Sequence, residues 1–198
     1  IFVCDRSGSM QDYQKIDELN GAIATFFNDL SKDANLANNL QIGVVEFASN
    51  AKVARQPAPL GLRAKAPQFK AHGGTNMSEA LEEAYALAKN ISPDQLKPIV
   101  ILITDGEPDS QSATEKEAYT LRQAAHFYTL GVSGADFNFL EKIAGSSQQT
   151  AALKGTQFQS FFKDMTDALN YHIMSAQENN GSAPKTFSIQ NKSGWKIE

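Results

Sequence analysis

The stretch "IVILITDGEPD" (99–109) joins a continuous apolar run to an acidic turn that contains Gly and Pro. An apolar run without alternation is typical of a strand that is covered on both faces, as in a parallel sheet. Asp105 stands where this strand ends. The stretch therefore predicts a central strand of an α/β protein, with a carboxylate at its carboxyl end.

Strand-like and helix-like patterns alternate on both sides of this run. Strands are predicted at 1–4, 41–48, 126–132 and, more weakly, 150–154. Apolar residues at spacings of three and four predict helices near 16–30, 77–88, 113–125, 136–144 and 158–176. Residues 49–74 hold most of the prolines and indicate an irregular region with room for one short strand. The alternation predicts a doubly wound, mostly parallel central sheet that is flanked by helices.

Composition indicates one domain and argues against nucleic acid and a membrane as partners. The chain has 198 residues, a hydrophobic content of 41% and a net charge of -4, and without a Lys/Arg cluster we expect no nucleic-acid partner. No apolar run approaches the ~18 residues of a membrane helix, so we expect no membrane segment. The single Cys4 excludes an intrachain disulfide and is expected to be a small buried hydrophobe. Nothing in the sequence indicates an oligomeric state.

The predicted domain covers residues 1–176, and 177–198 reads as a linker and a short tail. The tail "TFSIQNKSGWKIE" alternates weakly around "NKSG", which fits either a short hairpin or the first strands of a further domain. The sequence opens inside a predicted strand and without an initiator Met, so we expect residues upstream of Ile1.

Three polar clusters fall at the ends of predicted strands or just before helices. Asp5, Ser7 and Ser9 follow the first strand, Thr75 precedes the helix near 77, and Asp105 ends the central strand. In an open α/β sheet, ligands bind beyond the carboxyl ends of the strands. A lone Asp-x-Ser-x-Ser is equally typical of a turn that caps a helix, and Thr75 is itself a candidate cap.

The chemistry of these donors favours a hard cation. Together the clusters supply two carboxylates and three hydroxyls, with neither His nor a thiolate among them. Oxygen-only donors select Mg²⁺, Mn²⁺ or Ca²⁺ over Zn²⁺. Because hydroxyls neutralise an ion less than carboxylates would, a bound ion stays electrophilic towards a further acidic oxygen.

"DRSGS", the Thr of "GGTNM" and the Asp of "LITDGEPD" resemble the DxSxS…T…D pattern of von Willebrand factor type A (vWA) domains, the metal-ion-dependent adhesion site (MIDAS). The resemblance covers roughly residues 1–176. Within the family, "ELNGAIATFFNDL", "GGTNMSEAL" and "FYTLGVSGADFNFLEKIA" look most like stand-alone bacterial TerY-like proteins.

The resemblance implies a Rossmann-like sheet with one short antiparallel edge strand and a metal site at its top. Ser7, Ser9 and Thr75 would coordinate Mg²⁺, with Mn²⁺ or Ca²⁺ as alternatives, and Asp5 and Asp105 would approach the ion directly or through water. It implies a non-catalytic protein-interaction module in which an Asp or Glu of a partner completes the coordination. The TerY-like resemblance implies a cytoplasmic location, whereas a signal upstream of Ile1 would favour surface adhesion.

Two other function classes stay open at this point. One is a Mg²⁺-dependent phosphotransferase or phosphatase of the haloacid-dehalogenase type, but Ser7 stands where those enzymes need a second Asp. The other is an interaction domain whose metal is incidental. Three acidic residues near the predicted site are expected to be ordinary strand or loop charges: Glu46, Glu107 and Asp109. His72 is expected to be a loop residue and not a ligand. The positive charge of Arg6 would either steer an acidic partner or oppose the cation.

Overall fold

The computed structural model describes residues 1–61, 64–92, 95–153, 157–178 and Ile189. It contains a six-stranded sheet in the order β3-β2-β1-β4-β5-β6, in which β3 runs antiparallel to β2 and every other pair is parallel. The strands are β1 (Phe2–Asp5), β2 (Gln41–Phe47), β3 (Ala51–Pro59), β4 (Ile99–Thr104), β5 (His126–Val132) and β6 (Thr150–Leu153). The predicted doubly wound, mostly parallel α/β fold is confirmed.

Helices cover both faces of this sheet. They are α1 (Lys15–Lys32), α2 (Ala34–Asn39), α3 (Met77–Ala88), α4 (Gln111–Ala124), α5 (Phe137–Ala144) and α6 (Phe158–Glu178). The short α2 escaped prediction because half of its sequence "ANLANN" is Asn, a weak helix former. Asp33 stabilises its start by accepting hydrogen bonds from the backbone N–H groups of Asn35 and Leu36. Across the described residues, no helix is both long and apolar enough to cross a membrane.

Alternate residues of the short strand β1 enter two separate cores. Phe2 and Cys4 join the core beneath α1 and α6, whereas Val3 joins the core beneath α3, α4 and α5. Phe2 packs edge-on against Phe26 of α1 and lies 5.5 Å from the ring centre of Phe162 in α6. β1 is therefore buried on both sides, which fixes the position of the residues that follow it.

The edge strand β3 is longer than expected. The sequence indicated an irregular region with one short strand, but β3 extends over nine residues beside β2. Its side chains alternate between half-buried and exposed, and Pro57 and Pro59 are tolerated because an edge strand leaves one row of backbone groups unpaired. The prolines that suggested a loop are thus compatible with an edge strand.

The C-terminal boundary stays a prediction. α6 ends at Glu178, close to the predicted end of the domain at residue 176. The predicted hairpin and Trp195 lie outside the described residues, apart from Ile189, which packs against the core beneath α1 and α6. Lys154, the last residue of the weak strand prediction at 150–154, also lies outside them.

Candidate metal centre

The crevice at the carboxyl ends of β1 and β4 is the topological switch point of the sheet. β1 and β4 are hydrogen-bonded neighbours, yet the chain continues from β1 to β2 on one side and from β4 to β5 on the other. The connecting segments therefore diverge and leave room between the two strand ends. Asp5 is the last residue of β1 and Asp105 directly follows β4, so both carboxylates lie at this crevice.

Asp5 is fully buried and held by two hydrogen bonds. Its Oδ1 accepts from the backbone N–H of Ser7 at 2.7 Å, and its Oδ2 accepts from Oγ1 of Thr104 at 2.5 Å. The parallel register, which pairs Cys4 with Ile103, brings Thr104 beside Asp5. Sequence reasoning missed Thr104, although its place at the end of the predicted central strand was the available signal.

The hydroxyls of the first cluster are linked to Asp105. Ser9 Oγ donates to Asp105 Oδ1 at 2.7 Å and lies 3.1 Å from Ser7 Oγ. Ser7 precedes the 3₁₀ turn Gly8–Gln14 but its side chain does not cap it. The hydroxyls thus face one another and the carboxylate of Asp105, which is the arrangement expected of ligands rather than of a helix cap.

The loop that carries Thr75 is tied to the first cluster through the backbone. Gly8 N–H donates to the carbonyl of Gly73 at 3.0 Å, and Gly74 N–H donates to Ser49 Oγ at 2.9 Å. Gly73 has φ +80°, and a Cβ there would lie 2.7 Å from Ser49 Oγ, so glycine is required. These bonds fix the approach of the Thr75 loop to the strand ends.

The Thr75 and Ser9 hydroxyls both lie close to Gly106, the residue after Asp105. A methyl group placed on Gly106 would lie 3.7 Å from Thr75 Oγ1 and 3.8 Å from Ser9 Oγ, so both hydroxyls border the same glycine. Asn76, not Thr75, caps α3, because its side chain accepts from Glu79 N–H at 3.3 Å. The side chain of Thr75 is therefore not the cap of α3, and its hydroxyl borders the turn that follows β4.

Asp109 supports the Thr75 loop directly. From the sequence we expected Asp109 to be an ordinary loop charge, so this role was not foreseen. Its Oδ1 accepts from Thr75 N–H at 3.0 Å, and its own N–H donates to the Thr75 carbonyl at 3.0 Å. This pair of bonds joins the turn after β4 to the loop before α3. Asp109 thus positions a candidate ligand.

Glu46, Arg6 and His72 form a second cluster at the edge of the site. Glu46 Oε1 lies 3.2 Å from Nε of Arg6 and 3.0 Å from Nζ of Lys52, and Arg6 also contacts the His72 ring. Glu46 is buried and paired instead of lying as an unattached strand charge. Arg6 and Lys52 share this one carboxylate, so the charge of Arg6 is only partly compensated, and both roles considered for it stay predictions.

Lys15 is the site residue that sequence reasoning missed altogether. It is the first residue of α1, and its Nζ donates to Asp105 Oδ2 and, at 3.1 Å, to the Ser133 carbonyl. The Lys15–Asp105 pair joins positions 90 residues apart. Only the tertiary fold brings them together, so local sequence carried no signal for the pair.

Burial and the neighbouring carboxylate perturb the chemistry of Asp5. Burial raises the pKa of Asp5 from 3.8 to about 6; hydrogen bonds from Thr104 and Ser7 oppose this, and the charge of Asp105 adds to it. Burial, with help from Glu46 and Asp5, also raises the pKa of the Cys4 thiol well above its usual range. Cys4 is fully buried, as expected of a small core residue.

The donor set fits a hard divalent cation. Two buried carboxylates that repel each other and three hydroxyls converge, and every side-chain donor is oxygen. In the described part of the chain, no three or more His, Cys, Asp or Glu residues group closely enough to hold a metal ion. A cation at this crevice therefore depends on the hydroxyls of Ser7, Ser9 and Thr75 as much as on the two carboxylates.

Comparison with known proteins identifies the class. The model of the von Willebrand factor type A domain matches residues 1–168, and the chain belongs to this family. Heavy chain 4 of the inter-alpha-trypsin inhibitor from Mus musculus is 31% identical over 163 residues, which are 73% of this chain and 16% of that protein. The chain thus spans about a sixth of the length of this curated relative.

Two solved structures share the fold and contain metal. Proximal thread matrix protein 1 from the mussel byssus, with a zinc-occupied MIDAS motif, matches with a TM-score of 0.57 and 24% identity, over 84% of this chain and 43% of that one. Manganese-loaded TRAP protein of Plasmodium vivax matches with a TM-score of 0.61 and 19% identity, over 80% of this chain and 69% of that one. At these identities the likeness establishes the fold.

Proposed function

We propose that this chain is a non-catalytic, divalent-cation-dependent protein-interaction module. Asp5, Ser7, Ser9, Thr75 and Asp105 hold the ion, which is Mg²⁺ or, as alternatives, Mn²⁺ or Ca²⁺. A bound cation would supply a Lewis-acidic point for one carboxylate oxygen of an Asp or Glu on the partner protein. The surrounding loops supply the rest of the contact.

One observation carries this proposal: oxygen donors from three separate loops converge at the β1–β4 switch point. The Ser7–Ser9–Asp105 chain of contacts connects the first and third loops, and the backbone bond between Gly8 and Gly73 brings in the second. Burying the two carboxylates close together is unfavourable without a cation, because they repel each other away from water and Lys15 offsets only one of them.

The chain's own residues divide the work of holding the ion. Asp5 and Asp105 supply negative charge from the ends of two rigid strands, which limits their movement. Ser7, Ser9 and Thr75 add neutral oxygens, so the protein ligands do not over-neutralise a divalent ion, and the ion stays electrophilic towards an acidic side chain. Thr104 and Asp109 hold Asp5 and the Thr75 loop in place.

The metal-bound relatives support a cation at this place but favour no particular ion. The mussel protein has zinc and the Plasmodium protein manganese. The zinc-occupied site in a relative weakens the argument that oxygen donors select against Zn²⁺. Magnesium remains our choice because hydroxyl and carboxylate oxygens are the donors that it prefers.

A non-catalytic role fits the residues that the structure describes around the cluster, because none of them forms an activated nucleophile. Cys4 is buried with a raised pKa, and His72 contacts Arg6. Ser7, at the position where a dehalogenase-type enzyme needs an acid, hydrogen-bonds within the hydroxyl cluster. vWA domains are commonly metal-dependent interaction modules, which favours the same reading.

The subtype and the compartment remain sequence-based proposals. The relatives that matched are mammalian heavy chains, and they give no support to a bacterial, TerY-like subtype. A cytoplasmic location rests on that subtype alone. If the protein is instead displayed on a surface, the same site would serve adhesion to an acidic partner.

Capture of partners with and without metal tests the proposal. The immobilised chain is incubated with lysate in Mg²⁺ and in EDTA, and captured proteins are identified by mass spectrometry. We expect at least one protein to be retained only in Mg²⁺, and its capture to fail with Asp5→Asn.

The matched control is Asp29→Asn, which removes an exposed carboxylate from the α1 surface and leaves the site intact. It should retain the same protein as the wild type in Mg²⁺. Identical captures in Mg²⁺ and EDTA, or unchanged capture by Asp5→Asn, would show that recognition does not use the metal site.

A further inference from the structure

Lys15 joins three elements at the candidate site. From the first position of α1 its ammonium group reaches Asp105, which follows β4, and the carbonyl of Ser133, which follows β5. Lys15 is only 8% exposed, and Asp105 only 3%. Asp105 is consequently shared: Oδ1 accepts from Ser9, and Oδ2 accepts from Lys15.

Stability alone does not explain a lysine at this position. A buried ammonium group loses hydration, and the positive end of the helix dipole at the start of α1 disfavours a further positive charge. The two residues before it, Tyr13 and Gln14, also have left-handed backbone angles, with φ of 53° and 60°, which L-residues adopt at some expense. The ammonium group is thus held against Asp105 at a position where both the helix dipole and the preceding backbone are unfavourable.

Lys15 sets the net charge of the site. With Asp5 and Asp105 ionised, the inner groups carry one negative charge in excess because Lys15 cancels one carboxylate. The charges around these inner groups are the same with and without Lys15: Glu46 pairs with Arg6 and Lys52, and Glu107 and Asp109 lie in the turn after β4. A divalent cation converts the excess on the inner groups to one positive charge; without Lys15 the loaded inner groups would be neutral.

We propose that Lys15 is a positioning residue that fixes Asp105 and removes one unit of negative charge, so that it weakens cation binding but strengthens the capture of a partner's carboxylate by the loaded site. This inference rests on the proposed function of the site. It requires opposite effects on two successive binding steps, which a merely structural lysine would not produce.

The test measures both steps on the same variants. Mn²⁺ binding is followed by electron paramagnetic resonance of the unbound ion, and carboxylate binding by titrating sodium acetate into Mn²⁺-saturated protein while recording water-proton relaxation. For Lys15→Met we expect about tenfold tighter Mn²⁺ binding and severalfold weaker acetate binding, as the loss of one nearby charge dictates. Lys15→Arg, which keeps the charge, should restore both affinities towards wild type.

Three comparisons make the result decisive. Lys142→Met removes a lysine from an exposed ion pair with Glu115 and should change neither affinity. Lys15→Gln serves as a second neutral variant, and circular dichroism verifies that each variant folds. Asp5→Asn should bind Mn²⁺ far more weakly than the wild type.

The two proposals fail in different ways. Binding of one Mn²⁺ by the wild type, and its loss in Asp5→Asn, would support the metal site. The Lys15 inference is nevertheless overturned if Lys15→Met and Lys15→Gln match the wild type or shift both affinities in the same direction. If wild-type protein binds no Mn²⁺, both proposals fail.

Discussion

Replacing Asp5 by Asn should stabilise the metal-free protein while it removes the response to metal. Asn has nearly the same shape, and its Oδ1 can still accept from the backbone N–H of Ser7. What it lacks is the buried negative charge. The variant therefore separates the electrostatic role of Asp5 from its structural role.

The magnitude follows from the raised pKa of Asp5. A shift from 3.8 to about 6 means that the ionised carboxylate is less favourable in the folded than in the unfolded chain, by about 3 kcal/mol at ~1.4 kcal/mol per unit. Below pH ~3 both states are protonated and the penalty disappears; it grows as the pH rises from there towards 6 and is complete above that. In EDTA, Asp5→Asn should thus be up to about 3 kcal/mol more stable than wild type at pH 7.5 and about equal to it at pH ~3.

The free energies of unfolding of wild type and Asp5→Asn are measured by urea unfolding followed by far-UV circular dichroism, in EDTA and in Mg²⁺. The wild type should gain about 2.7 kcal/mol when Mg²⁺ is at a hundredfold excess over its Kd, whereas Asp5→Asn should gain little. Asp29→Asn, on the exposed face of α1, should behave like the wild type in both conditions. If Asp5→Asn proves less stable than wild type in EDTA at pH 7.5, or keeps the full Mg²⁺ gain, the electrostatic reasoning is refuted.

Three further predictions concern single groups around the site. Thr104→Val should lower the stability of the metal-free protein by about 1 kcal/mol, because Asp5 loses a hydrogen bond. The pH profile of urea unfolding should then show the Asp5 titration at a higher pH, and an unchanged profile would contradict the Thr104–Asp5 hydrogen bond. Thr75→Ala should weaken Mn²⁺ binding in an equilibrium dialysis experiment. It should leave the stability in EDTA unchanged because Asn76, not Thr75, caps α3; a loss of stability in EDTA would mean that Thr75 acts structurally. Cys4 should react with a thiol reagent only after unfolding, because it is fully buried with a raised pKa; rapid reaction of the folded protein would contradict its placement.

The main features of the fold follow from local patterns. The uninterrupted apolar run 99–104 specified a strand covered on both faces, and it proved to be β4 in the middle of the sheet. The strand β3 was underestimated because the prolines of an edge strand resemble those of a loop. Sequence patterns report the local preference of each residue for strand or loop. Whether a strand tolerates proline depends instead on its place in the sheet, because an edge strand has a neighbour on one side only.

The closeness of the first cluster to Asp105 was also foreseeable, because the parallel strands β1 and β4 bring their carboxyl ends to one edge of the sheet. The residues that hold those donors were not. Lys15 reaches Asp105, and Asp109 binds the backbone of Thr75, through contacts between distant parts of the chain. Such contacts depend on the packing of helices and loops, for which a single sequence carries no periodic signal.

A crystal of this chain soaked in Mn²⁺, with anomalous diffraction data collected at the manganese edge, tests the central claim most directly. The account predicts one strong anomalous peak per chain at the β1–β4 switch point, in contact with the hydroxyl oxygens of Ser7 and Ser9. A map without a peak at that point, or with its only peak elsewhere, would contradict the proposal that these residues form a cation site.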